Sequence, residues 1–493
     1  MLKLGNGAEV LHAGPVSTTS TPPVALTATA LLQGTSQLPG LAAESLDWDA
    51  VETAARIRGG AVSVSEVVEA AIARAQALEP ELNAIAHVLY ERAAQAARQP
   101  GSGAFAGVPS FVKDMEDLEG APTTLGSAAV PPVPARRTAG SVAQFLSTGV
   151  IPLGKSTTAE FGLNASTEPV FGKPTCNPHH LGHSSGGSSG GAAALVAAGV
   201  VPIAHGGDGG GSIRIPAAFC GLVGLKATRG RLVPMDSTKQ MPVKIATYGV
   251  LTRTVRDTAT FYAAVEGSSG AGLPPIGKVE GPGKERWRIG MFIDPPTGAT
   301  VHPEIRAAVL TTAKALEAMG HSVDFVPPPY SLQLADDFLL YWSLLAFGVE
   351  RAVKSLPGGD VTRLEPWTRQ LAQNAKKRWW RHPTALYRLH HYAETYAQIF
   401  QRCDVVLCPT TAGPAPKLGY LSPGQSYEQQ LARLTALLPF TPVQNTAGGP
   451  AISLPVARTQ EGLPIGIQLA APNGQERRLL ELAFALEPSF ARA

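Results

Sequence analysis

The chain has 493 residues, with 41 Lys and Arg against 38 Asp and Glu and a net charge of +3 at pH 7. So even a balance gives no electrostatic footprint for nucleic acid. Charged residues are 16%, apolar residues 44%, and there are 52 glycines and 42 prolines, a composition that excludes coiled-coil and low-complexity chains and describes a loop-rich globular protein.

In chain order, the first 45 residues are rich in Thr, Ser and Pro, and the stretch up to Gly34 carries one Lys and one Glu. They read as a flexible or loosely packed segment rather than a cleaved signal peptide. Two helices follow, in LDWDAVETAARIRGG and SVSEVVEAAIARAQALEPELNAI; in the second, Ser63 caps a first turn containing Glu66, with Val67, Val68, Ala71 and Ile72 on one side. From Gly107 to about Gly267 short apolar strands, glycine clusters and helices alternate, which is an α/β texture.

VPSFVK, ending at Lys113, reads as extended. It contains S-x-x-K, but neither S-D-N nor K-T-G accompanies it. GVIPLGKST, Gly149 to Thr157, matches G-x-x-x-x-G-K-[ST], the loop that cradles nucleotide phosphates. Its inner residues Val150, Ile151, Pro152 and Leu153 prefer extended backbone, and Pro152 has no N–H to give a phosphate. Helix SVAQFLSTG, a stop at Gly149 and then a buried strand is the better reading, which leaves nucleotide binding through Lys155 a poor alternative. GHSSGGSSGG, Gly182 to Gly191, holds G-x-S-x-G twice, the pattern of a nucleophile elbow. An elbow needs a strand directly before it, and KPTCNPHHL does not look like one; an α/β-hydrolase-type esterase using Ser184 with a distant histidine is kept as the alternative. GGDGGGS follows at Gly206 to Ser212. A serine hydroxyl needs a base; lysine serves only when neutral, and burial behind Pro109, Phe111 and Val112 would lower the affinity of Lys113 for its proton.

From about Tyr330 to Phe400 the sequence is helical and aromatic, with Trp342, Trp367, Trp379 and Trp380. It reads as an added helical layer or lid. KKRWWRH, Lys376 to His382, interleaves cations with aromatics as nucleic-acid or membrane surfaces do, but a solvated helix face with buried tryptophans is the reading adopted. DVVLCPT, PAISLP and GLPIGIQLAAP read as strands. Cys176, Cys220, Cys403 and Cys408 lack paired spacing and read as reduced thiols. No uninterrupted apolar run reaches about 18 residues, so neither membrane nor nucleic acid is expected as a partner, and the cytoplasm is the expected location.

AGVPSFVKDMEDLEGAPTTLGS, GKSTTAEFG, GGSSGGAAALVAAGVVPIAHGGDGGGSIRIPAAFCGLVGLKATRGRL, GVLTRTVRDTA and NTAGGPAISLP with GLPIGIQLAAP together resemble, in order, the amidase signature family. The resemblance covers most of the chain beyond residue 45. It implies an α/β fold with a mixed β-sheet core flanked by helices on both faces, one domain over 46–493, and a substrate-side helical insertion at about 330–400. It implies a Ser-cisSer-Lys triad falling on Lys113, Ser188 and Ser212, with a cis peptide after Gly187, and it makes GVIPLGKST a structural strand. Ser212 would be the nucleophile and Ser188 the proton relay; spacing alone does not separate Ser188 from Ser184, Ser185 or Ser189. Ser189 would add a hydrogen bond, and Asp208 and Arg214 an internal ion pair bracing the loop. Gly209, Gly210 and Gly211, without Cβ atoms, would turn N–H groups toward one point and form an oxyanion hole with Ser212.

Two departures stand out. The loop reads GGDGGGS where the family commonly has G-T-D-x-G-G-S, and the serines are led by HHLGHSSGG. His179, His180, His183 and His205 are read as structural or pocket-lining, with no metal site and no cofactor. The expected activity is hydrolysis of small, apolar or aryl amides through an acyl-enzyme, with esters and carbamates (urethanes) open to the same chemistry. A homodimer is left open. The tRNA-dependent amidotransferase subunit fits less well, given the altered serine lead and the aromatic insertion.

Overall fold

The computed structural model describes residues 40–267 and 272–490. The N-terminal segment read as loosely packed therefore lies outside the described residues up to residue 39; its last part forms a helical turn, Leu41–Glu44. The two helices expected next are present. Asp49 accepts from Glu52 N at the start of Ala50–Arg58, and Ser63 and Glu66 form a reciprocal capping box at the start of Val64–Leu82, satisfying donors that the first helical turn leaves unpaired.

Among the described residues, eight strands form the main sheet. They are β6 (Ile203–Asp208), β7 (Val223–Lys226), β8 (Thr247–Thr252), β9 (Arg288–Met291), β10 (Ser322–Phe325), β11 (Val405–Pro409), β12 (Ala451–Arg458) and β13 (Pro464–Ala470). Their order is β10-β9-β11-β13-β12-β7-β8-β6. β9 pairs in parallel with β10 and β11, whereas β11 with β13, β13 with β12, β12 with β7, β7 with β8 and β8 with β6 are antiparallel, so the sheet is mixed. β6, β7, β11 and β13 are buried along their whole length, as strands covered by helices on both faces must be.

A second sheet, β1-β3-β2, is made of β1 (Ile85–Val88), β2 (Pro109–Lys113) and β3 (Ile151–Ser156). β3 is GVIPLGKST, in the strand that its apolar residues require. β2 lies along the edge strand β6, with Ser110 Oγ donating to Ile203 O at 2.8 Å and Lys113 Nζ beside Gly207 O at 3.4 Å. The two strands therefore run the same way, and the segments that follow them emerge side by side. The buried helix Gly190–Ala197 packs against both.

Helices Leu332–Ser355, Pro366–Lys377 and His382–Ala397 form the added layer, the first packing on the other two. By length and composition Leu332–Ser355 could also cross a membrane. Trp342 and Trp367 turn inward, but the expectation of buried tryptophans in KKRWWRH is overturned: Trp379 is 69% and Trp380 61% exposed. The pair falls on the short 3₁₀ turn Trp379–Arg381 between two helices, and Ala375, Ala385 and Leu389 fill the interior there instead.

Candidate active site

Lys113 ends β2 with its side chain buried. Nζ lies 2.7 Å from Ser188 Oγ and 2.9 Å from Ser189 Oγ. Burial lowers its pKa from 10.5 to about 7 against the weaker opposing pull of Asp208, so a large share of the amine is neutral at physiological pH. The peptide Gly187–Ser188 is cis.

The hydrogen bonds separate the four serines that spacing left equivalent. Ser184 Oγ is bonded to Ser166 Oγ and accepts from Gly186 N. Ser185 Oγ donates to Thr175 O. Ser189 Oγ donates to Gly207 O and accepts from Gly207 N, each at 3.2 Å, besides its contact with Lys113. Among the described residues, Ser188 Oγ is hydrogen-bonded to Lys113 alone, which leaves it able to bond a second hydroxyl. Gly162 abuts it: at φ +70° a Cβ there would stand 3.3 Å from Ser188 Oγ.

After β6 the chain turns through Gly209, Gly210 and Gly211 to Ser212. Asp208 organises the turn by accepting from Gly211 N (2.8 Å) and Ile213 N (3.2 Å) and pairing with Arg214 Nε (2.9 Å). Burial alone would push the Asp208 carboxyl up, but Arg214 and Asn445 outweigh it and hold it below the usual carboxylate range. Arg214 in turn donates to Gln444 Oε1, Gln468 Oε1, Asn445 Oδ1 and Thr441 O, so this buried charge is fully paired. The loop N–H groups expected to point together differ in their partners: Gly211 N–H is taken by Asp208, whereas among the described residues those of Gly209, Gly210 and Ser212 are unengaged. Gly211 is needed for another reason: its φ is +125°, and a Cβ would meet Thr441 Oγ1 at 2.3 Å, while Thr441 Oγ1 donates to Gly210 O.

Ser212 forms one edge of a cavity of about 330 Å³ walled by Leu163, Ile215, Phe338, Trp342, Trp367 and Val443. Phe338 and Trp342 stack with ring centroids 5.4 Å apart, and a Cβ at Gly210 would stand 3.3 Å from Phe338 and 3.7 Å from Trp342. Trp342 Nε1 and Trp367 Nε1 each donate to Leu163 O at 3.0 Å, so the indole N–H groups are satisfied and the faces left to the cavity are apolar.

A hydroxyl beside unengaged N–H donors, a second hydroxyl on an amine whose pKa burial lowers and an apolar cavity can together carry out acyl transfer. A family model described as Amidase matches residues 66–480. The chain belongs to the amidase signature family. It is 45% identical over 446 residues to the amidase-named protein AmiC of Mycobacterium leprae, covering 90% of this chain and 95% of that one. Among solved structures it resembles a 6-aminohexanoate cyclic dimer hydrolase complexed with substrate (TM-score 0.81, 31% identity, 90% of this chain and 98% of that one). It also resembles a bacterial aryl acylamidase of the amidase signature family (TM-score 0.79, 26% identity, 90% and 96%). The protein is an amidase-family hydrolase acting on amide carbon–nitrogen bonds.

In this amidase Lys113 meets Ser188 and Ser189, Asp208 pairs with Arg214, and Ser189 N donates to Ser212 O at the end of the loop Gly209–Ser212. The rival sites do not form. A strand, β5 (His180–Ser184), does precede the serines, contrary to expectation, paired with β4 (Cys176–Asn177) in a two-stranded ribbon. Yet Ser184 at its end is fully buried and presents no hydroxyl to a cavity. Lys155 points its ammonium at Asp114 (2.8 Å) and Thr123 Oγ1 (2.6 Å). His205 is buried between Phe145 and Tyr248, and burial, with the nearby Lys113 and Lys155, lowers its pKa to about 3; it is a neutral core residue. His179 is held by Cys220 O. Sequence reasoning missed Thr441, Gln444, Asn445 and Gln468 behind the loop. It also missed Glu160, which accepts from Ser127 Oγ, Thr368 Oγ1 and Glu365 N and fixes the turn that carries Gly162.

Proposed function

We propose that this amidase cleaves small apolar amides through an acyl-enzyme on Ser212, with Ser188 and Lys113 moving the protons. The observation that carries the reading is the arrangement around Lys113 Nζ. A neutral amine has two N–H bonds and one lone pair; Ser189 Oγ and Gly207 O take the two hydrogens, which leaves the lone pair for the Ser188 O–H at 2.7 Å.

Ser212 Oγ attacks the carbonyl carbon and passes its proton to Ser188, whose own proton goes to Lys113. The negative charge that forms on the carbonyl oxygen faces the N–H groups of Gly209, Gly210 and Ser212. Collapse breaks the C–N bond as the proton returns from Lys113 through Ser188 to the leaving nitrogen. Water then repeats the attack on the acyl-serine and releases the acid. Attack on an ester or carbamate carbonyl is the same step with a different leaving group, so these are further substrates on this reading.

The aromatic and aliphatic cavity walls favour an uncharged, apolar or aryl substrate, in keeping with the aryl amides and cyclic amide that the two structural relatives are named for. Residues 46–493 act on this reading as one catalytic domain, with the helices at 330–400 as its substrate-side insertion. The test is to phosphonylate the protein with a fluorophosphonate and map the adduct. Modification at Ser212 that is lost in Lys113→Ala supports the reading, and an adduct on Ser184, or one indifferent to Lys113, overturns it.

A further inference from the structure

The exposed turn Trp379–Arg381 is unused by the chemistry. Two adjacent indoles, 69% and 61% exposed, stand in water, where each costs the free energy of a large apolar surface left wet. They are interleaved with Lys376, Lys377, Arg378 and Arg381. Asp336 takes both Arg378 and Arg381, and Glu350 takes Lys376. Four cations against two carboxylates leave two positive charges in excess, and among the described residues Lys377 has no ion-pair partner. Asp336 also fixes where the patch lies. It lines the apolar cavity together with Leu334 and Ala335, and one turn before it on the same helix face Leu332 is 61% exposed. The patch thus borders the cavity wall.

We propose that Trp379, Trp380 and Leu332, with the cations around them, are a docking surface for an anionic membrane face. Indoles settle at the boundary between lipid headgroups and acyl chains, and long cationic side chains reach the phosphates while their stems stay apolar. The charge argues against the other occupants. A second copy meeting this patch about a two-fold axis would set the same positive excess against itself. Nucleic acid would need an extended basic track, and the chain as a whole has a net charge of only +3. A lipid surface also leaves an apolar cavity beside the medium in which apolar amides dissolve. The docking itself does not depend on the proposed catalysis.

The test uses the whole chain and vesicles of phosphatidylcholine, with or without roughly one-third phosphatidylserine, followed by co-sedimentation at low and high salt. Binding to the phosphatidylserine vesicles is expected, weakened by salt, and reduced at least about tenfold in Trp379→Ser/Trp380→Ser. Hydrolysis of a water-soluble anilide by that variant without vesicles stays within about twofold of the parent, as for a surface change away from the site. No binding to phosphatidylserine vesicles at low salt overturns the proposal, as does equal binding by the variant. So does a concentration-dependent dimer in sedimentation velocity that the double substitution abolishes, or an oligonucleotide complex that it abolishes while vesicle binding is absent.

Discussion

Two buried lysines sit almost side by side and do opposite things. β2 and β3 run parallel with Val112 opposite Lys155 and Lys113 opposite Ser156, so Lys113 and Lys155 end neighbouring strands at the same depth. Burial lowers the pKa of both. Around Lys155 it is opposed by Asp114 at 2.8 Å, which gives the ammonium a partner. Among the described residues Lys113 has no carboxylate in contact, because Asp208 is already taken by Arg214, and its pKa falls to about 7. Lys226 is a third case, lowered to about 7 by burial and by Arg214, yet among the described residues its amine is hydrogen-bonded only to Ala227 O. A shifted lysine becomes a base only where a hydroxyl and a cavity meet it.

The comparison breaks first at Lys113. Lys113→Met keeps the volume and is expected to lower kcat/KM by about 10³ to 10⁴, the upper range for removal of a general base, with the urea midpoint retained. Lys155→Met should show the reverse pattern. It strands Asp114 as an uncompensated buried carboxylate and is expected to cost about 3–5 kcal/mol in urea unfolding, while activity per folded molecule changes far less. Equal losses of activity in the two variants would erase the distinction.

Smaller effects sharpen it. Gly162→Ala forces a side chain into a left-handed conformation against Ser188 Oγ and should lower kcat about tenfold with little change in KM. Ser189→Ala removes one hydrogen bond from Lys113 and should cost about fivefold in kcat/KM; a loss as large as that of Lys113→Met would make Ser189 the relay instead. The last effect is on stability. The folded pKa of Lys113 lies below its unfolded value of 10.5, so what this lysine contributes is present above that value and is lost as pH falls through about 7. Melting curves should therefore show Lys113→Met gaining on the parent at pH 6 relative to pH 10.

Much of this was legible locally. Periodicity placed the capped helix at Ser63, and β-prone residues around Pro152 exposed the phosphate-loop match as a strand. Glycine density marked the turn before Ser212. What was not legible depends on partners far along the chain. Ser188 is singled out only because Ser184, Ser185 and Ser189 are occupied by Ser166, Thr175 and Gly207. Gly211 N–H is diverted by Asp208, and Asp208 is held by Arg214 with Asn445, more than 200 residues later. The short strand β5 lacks apolar alternation because its support comes from outside its ladder, with Ser184 N donating to Pro416 O. The exposed pair Trp379 and Trp380 ran against composition because a turn, not a helix face, presents it.

The central claim is that neutral Lys113 drives acylation of Ser212, and the most direct measurement is the pH dependence of the acylation burst with a chromogenic amide or ester, in the parent and in Lys113→Met. The account predicts a rate that rises with pH through an apparent pKa near 7 in the parent, and no such limb in the variant. A limb near 7 that survives in Lys113→Met would contradict it, and so would a parent rate that is flat from pH 6 to 9.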